Sequence, residues 1–142
     1  MTHDSHSVAD TERIAAALAD RLRGGEVIAL HGELGAGKTQ FVRGLVAALG
    51  GNPRQVASPT FVLLHVYDGG RLRVHHLDAY RVRGADDFEA IGFAELLEDP
   101  SAVTVVEWAD RVAAQLPPPP RMIRVRIEPG TQETARRINM DA

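Results

Sequence analysis

Apolar residues recur every four positions near the start of the chain. Ile14, Leu18 and Leu22 form one stripe along ADTERIAAALADRLRGG. That period predicts a helix from Asp10, in which Ala, Leu and Arg are good propagators. Asp10 or Thr11 is placed to cap its start, and Gly24-Gly25 to end it. Residues 1–9, MTHDSHSVA, carry no such pattern and read as a flexible leader. VIALH at 27–31 is an unbroken apolar run, which suits a buried strand. A glycine-rich turn follows from Gly32 to Gly37. Residues 38–49 then return to the helical period, with Phe41, Leu45 and Ala48 on one side. Gly50-Gly51-Asn52-Pro53 closes that helix.

The texture changes in the middle of the chain. FVLLHVY at 61–67 and RLRVHHL at 71–77 are rich in strand formers, and Asp68-Gly69-Gly70 separates them. The spacing predicts an antiparallel hairpin. Residues 86–98 read as a helix with Phe88, Ile91 and Leu96 or Leu97 turned inward. VTVV at 103–106 is a short buried strand with Glu107-Trp108 at its end. WADRVAAQL predicts a short helix, closed by Pro117–Pro120. RMIRVRI at 121–127 alternates apolar residues at 123, 125 and 127, the pattern of a half-exposed strand. A tail from Glu128 carries Arg136 and Arg137. Parallel strands need helices over their faces, and the hairpin adds antiparallel strands. The fold class predicted is therefore α/β, a P-loop NTPase-like three-layer sandwich with a mixed central sheet that includes the hairpin.

Composition narrows the field. The chain has 142 residues, of which 44% are hydrophobic, enough for one packed core and one domain over 1–142. Sixteen Lys and Arg against nineteen Asp and Glu give a net charge of −3, which argues against a broad basic nucleic-acid platform. Without cysteine there is no disulfide, thiolate metal site or cysteine nucleophile. No run of 18 apolar residues suggests a membrane span. The polar, acidic start does not resemble a signal peptide, so a cytoplasmic setting is expected.

The chemistry is written most openly at residues 32–39. GELGAGKT matches G-x-x-x-x-G-K-[ST] without a gap, between a strand-like and a helix-like run. Backbone N–H groups across Glu33, Leu34, Gly35, Ala36 and Gly37 and into the first helical turn are placed to converge on phosphate oxygens. Lys38 reaches the β and γ phosphates, and Thr39 offers its hydroxyl to Mg²⁺. A nucleotide site also needs an acid near the metal. Glu107 ends one strand and Asp78 another, at the strand edge where the phosphate loop lies. Asp78 suits either a metal-bound water or the orientation of an attacking one. Ser58, Pro59 and Thr60 combine a fixed backbone angle with two hydroxyls, the makings of a γ-phosphate sensor. His75 and His76 point to opposite faces of an alternating strand and make a poor zinc pair.

Together these segments resemble the TsaE (YjeE) family, the ATPase component of tRNA threonylcarbamoyladenosine synthesis. The resemblance runs through Thr11, GELGAGKT at 32–39, SPTF at 58–61, HLDAYR at 76–81, IGFAELL at 91–97 and VEW at 106–108. It implies ATP hydrolysis with Mg²⁺, supporting turnover of a TsaD-like catalytic subunit and its TsaB-like companion. tRNA is reached through that complex. By the same resemblance Thr39 and Glu107 are metal residues, and Lys38, Asp78 and Glu107 serve catalysis. Thr11, Gln40, Trp108 and Arg137 join the loop in holding nucleotide, with Arg136 the neighbouring candidate. Ser58, Pro59, Thr60 and Phe61 look like a switch. Gln40 stands where threonine is commoner, and Ala79 where a larger apolar residue is usual. A metabolite kinase would share the loop but needs an acceptor pocket and a lid. A GTPase would need a guanine-reading NKxD segment. A nucleotide-dependent interaction module would lack basal turnover.

Overall fold

The computed structural model describes residues 1–33, 36–56, 64–79, 89 and 92–141. Seven strands form one mixed sheet: β1 (Thr2–Ser5), β2 (Val27–His31), β3 (Leu64–Tyr67), β4 (Arg73–Asp78), β5 (Ala102–Glu107), β6 (Met122–Pro129) and β7 (Arg136–Asp141). Their order across the sheet is β1-β7-β6-β2-β5-β4-β3. The central four, β4, β5, β2 and β6, run parallel, while β3, β7 and β1 each pair antiparallel with their neighbour. The carboxyl ends of β2, β4 and β5 therefore lie together along one edge.

Side-chain alternation makes the layers. Ile28, Leu30, Val103, Val105, Ile123 and Val125 face one core, which α1 (Val8–Ala19) and α2 (Lys38–Ala48) cover. Val27, Ala29, Leu77 and Val106 face a second, smaller core under α3 (Phe93–Leu97) and the 3-10 segment Ala109–Gln115. Phe41 and Leu45 anchor α2 as the helical period predicts, and both are fully buried. Truncating a buried phenylalanine such as Phe41 to alanine typically costs about 3–5 kcal/mol. Ala48, expected on the same side, is exposed, and Leu49 just past the helix is buried in its place.

Other differences from the pattern have local causes. α1 begins at Val8, capped by Ser7, whose hydroxyl accepts from the Asp10 backbone N–H at 3.0 Å. Asp10 in turn accepts from the His6 N–H at 3.0 Å. Asp10 is thus a first-turn acid and Thr11 a buried helical residue, so neither is the cap. The helix ends at Ala19, before Gly24-Gly25. Arg71 donates to the Ala19 and Leu22 carbonyls there and satisfies acceptors that the helix end leaves open.

The supposed leader is part of the sheet. Thr2–Ser5 pair with Arg136–Asn139 of β7, itself a strand where the pattern shows only a tail. β1 is a short polar edge strand, and β7, which lies between it and β6, comes from the other end of the sequence. The hairpin holds, with Tyr67 opposite Val74. Residues 61–63 of its first strand lie outside the described residues. So do Phe88 and Ile91 of the helix predicted at 86–98, of which Phe93–Leu97 is described and helical. Among the described residues no helix is long and apolar enough to cross a membrane.

Candidate functional site

The site grows from the strand-to-helix junction. β2 ends at His31, and α2 opens at Lys38 behind Gly37, whose φ of +106° is left-handed. A β-carbon is disfavoured in that conformation, which explains the glycine. At Gly32 a β-carbon would stand 3.1 Å from the Ile127 carbonyl oxygen and 3.3 Å from Ala36, so the loop folds tightly onto β6. Ala36 is buried, and its N–H bonds the Glu33 carbonyl at 3.0 Å. Leu34 and Gly35 lie outside the described residues. Thr39 and Gln40 occupy the first turn of α2, where backbone N–H groups point toward any anion at the helix start.

Two carboxylates meet this junction. In the β4–β5 register Asp78 is directly opposite Glu107, each the last residue of its strand, and Leu30 of β2 flanks Glu107 on the other side. Paired positions on neighbouring strands share a face. Asp78 and Glu107 therefore stand side by side on the face covered by α2. Both are buried, at 5% and 6% exposure.

Glu107 is engaged through both oxygens. Its Oε1 lies 3.3 Å from Lys38 Nζ, and its Oε2 lies 2.6 Å from His76 Nε2. His76 is fully buried, and Tyr67 Oη lies 3.3 Å from its Nδ1. Burial pushes the Glu107 carboxyl up, but its hydrogen bond and electrostatic interaction with His76, and those with Lys38, outweigh it. The carboxyl is held below its usual value. Lys38 Nζ also lies 5.2 Å from the centroid of the Trp108 ring, a cation–π distance. Trp108 has φ +58°, the one non-glycine positive φ among the described residues, and its side chain is exposed.

The flanks of the loop come from the two chain ends. Arg136 donates from Nε to the Ala36 carbonyl at 2.9 Å and from Nη1 to the Glu133 and Ala135 carbonyls at 2.8 Å each. Arg137 points instead to Asp4, at 3.4 Å. Of the two arginines, Arg136 therefore touches the loop. Thr11 is buried, and its hydroxyl meets Ser5 Oγ at 2.7 Å. Ser58, Pro59, Thr60 and Phe61 lie outside the described residues.

Oxygen donors dominate the metal side of the site. Thr39, Asp78 and Glu107 are hard ligands of the kind Mg²⁺ takes, and Mg²⁺ is ordinarily held by one or two carboxylates plus substrate phosphates. Among the described residues no group of three or more His, Cys, Asp or Glu is gathered for a metal. The donor set thus fits an ion that arrives with a nucleotide. His75 and His76 do face opposite ways: His76 meets Glu107, while His75 Nδ1 is buried with no hydrogen-bond partner among the described residues.

Comparison with known proteins adds an independent line. The sequence model of the threonylcarbamoyl adenosine biosynthesis protein TsaE matches residues 5–138. A protein of that description from Treponema pallidum is 42% identical over 123 residues, covering 87% of this chain and 89% of its own length. One from Aquifex aeolicus is 43% identical over 103 residues, 72% of this chain and 71% of its own. The crystal structure of Bacillus subtilis YdiB superposes with a TM-score of 0.74 at 28% identity, covering 99% of this chain and 83% of that one.

Proposed function

Because the chain belongs to the TsaE family, we propose that it is the Mg²⁺-dependent ATP-hydrolysing component of tRNA N6-threonylcarbamoyladenosine synthesis. In this reading residues 1–142 act as one P-loop ATPase domain in the cytoplasm. It supports turnover by a TsaD-like catalytic subunit with a TsaB-like companion, and meets tRNA through that complex. The observation that carries the reading is the 3.3 Å pair between Lys38 and Glu107. It sets the phosphate-loop lysine against an acid at the end of the neighbouring parallel strand.

The residues divide the work by charge. Lys38 exchanges Glu107 for the β and γ phosphates, and neutralises charge on the group being transferred. The loop backbone from Glu33 through Gly37, with Thr39 and Gln40, supplies N–H donors to the phosphates. Glu107 Oε1, released by Lys38, and the Thr39 hydroxyl would hold Mg²⁺. When bound, the ion neutralises developing phosphate charge. Asp78, beside Glu107, orients the attacking water. Trp108 flanks the phosphate end. Thr11 and the Arg136–Arg137 corner border the rest of the nucleotide, with Arg136 bracing the loop. Ser58, Pro59, Thr60 and Phe61 act as the segment that reports the γ-phosphate to partners, an effect that requires different partner affinities in the two nucleotide states.

Reconstituting tRNA modification with the two partner proteins tests the whole. Multiple turnover should require this chain and hydrolysable ATP, while a single turnover should proceed without them. The chain's low ATPase rate should rise when the partners are added. Equal multiple turnover with and without the chain would overturn the reading.

A further inference from the structure

The buried array Tyr67–His76–Glu107 has a geometry that the phosphate-loop chemistry does not itself require. Each Glu107 oxygen has a different partner: Lys38 at Oε1 and His76 at Oε2. The two partners differ in what a nucleotide would do to them. Lys38 sits at the start of α2 on a long flexible stem and is drawn away by phosphate. His76 sits within β4, fully buried, and has nowhere to go.

We infer that His76 is a positioning residue, which pins Glu107 by Oε2 so that Oε1 alone is presented to the phosphate loop. The inference rests on the nucleotide reading above. An ionised carboxylate only accepts hydrogen bonds, so the 2.6 Å contact places a proton on Nε2. Tyr67 Oη lies 3.3 Å from Nδ1 on the other side of the ring, so both ring nitrogens have a polar neighbour. The ring is also wedged against Tyr67, with centroids 5.9 Å apart and planes tilted by 52°. A carboxylate anchored at one oxygen cannot rotate after the departing lysine, nor offer both oxygens to one ion. Single-oxygen donation matches the small, strict octahedral shell of Mg²⁺.

Calorimetric ATP titrations with and without Mg²⁺ test the inference, on wild type, His76→Leu and His76→Gln. The readout is the gain in ATP affinity that Mg²⁺ confers. His76→Leu should cut that gain by about 10-fold or more, as loss of an outer partner of a metal ligand does. Metal-free ATP affinity should stay within about 2-fold of wild type, since no phosphate contact is removed. His76→Gln, whose amide N–H reaches toward the same oxygen, should restore most of the gain. An undiminished gain in His76→Leu overturns the inference. So does an equal loss of metal-free affinity, which would mark a merely structural role.

A second measurement needs neither nucleotide nor a buried deletion. In the nitrogen NMR spectrum of the wild-type protein, His76 should carry a proton on Nε2, and Glu107→Gln should shift that signal. If the wild type gains nothing from Mg²⁺, the ATPase reading falls. The positioning role is then judged on this spectrum, where a signal indifferent to Glu107→Gln overturns it. The same spectrum decides if His76→Leu does not fold.

Discussion

Lys38 illustrates how much one side chain carries at this site. Its ammonium pairs with Glu107 Oε1, is the charge a phosphate would draw away, and also covers the Trp108 ring. Lys38→Ala should fold, since the helix keeps its apolar face, yet lose ATP binding or hydrolysis. Matched circular dichroism and nucleotide titrations check this. Asp78→Ala should spare ATP affinity and depress single-turnover cleavage, because orientation of water acts in the transition state. His75 sets a separate expectation for stability. Burial holds its imidazole below the ordinary value of 6.5. The folded protein thus refuses a proton that the unfolded chain accepts, so stability should fall as pH drops below about 6.5. His75→Leu should flatten that part of a denaturant-midpoint profile against pH. At this scale the acids were legible, because strand ends are where parallel sheets gather chemistry. The same period of two that separates His75 from His76 puts His76 on the face of Asp78. Its contact with Glu107 was still hidden, since it depends on the β4–β5 register, which no local pattern encodes. The choice between Arg136 and Arg137 was hidden for a similar reason: it turns on which face of β7 meets the loop.

Helix contacts explain residues that look incidental one at a time. Thr11, Ala15, Leu18 and Ala19 form the buried face of α1, mostly small side chains, and Gly44 lies opposite on α2. A β-carbon at Gly44 would stand 2.6 Å from the Glu12 Cα, a backbone contact that cannot give way cheaply. Gly44→Ala should therefore push α1 off α2 and cost about 1–3 kcal/mol, the usual range for overpacking. Urea denaturation measures it. Ser7→Ala should cost about 1 kcal/mol through loss of the cap, read from the same curves. Strongly periodic elements were readable: β2 and β5 match their apolar runs, and β6 alternates in burial as its sequence does. Boundaries were less so. The Ser7-to-Asp10 spacing is itself a cap signal, overshadowed by the acid and threonine that follow it. β1 and β7 escaped altogether: β1 is a four-residue edge strand in which Ser5 is the buried residue, and β7 buries Ile138 and Met140 in a run too short to write a clear alternation.

Across the whole molecule, the sheet carries two cores of unequal reach. α1 and α2 cover one face, while among the described residues α3 and the 3-10 segment cover the other over β4, β5 and β2, with Leu64 of β3 and Met122 of β6 at its margins. The β2–α2 junction lies where the parallel strands end, and its flanks come from the side of the sheet built by β1 and β7. Met1 donates its terminal N–H to Met140 O at 2.8 Å, across 139 residues of sequence. That pairing has a consequence in time. On the ribosome the first strand emerges early and must wait for the last. At synthesis rates of about 5–20 residues per second, the delay is on the order of ten seconds. Lys38, Asp78 and Glu107 are all made before the edge closes, but Arg136, which braces the loop at Ala36, is not. Nascent chains stalled before Arg136 should thus bind ATP far more weakly than released ones, in a filter-binding comparison. Nucleotide would then engage the loop only once Arg136 has been added and has reached Ala36.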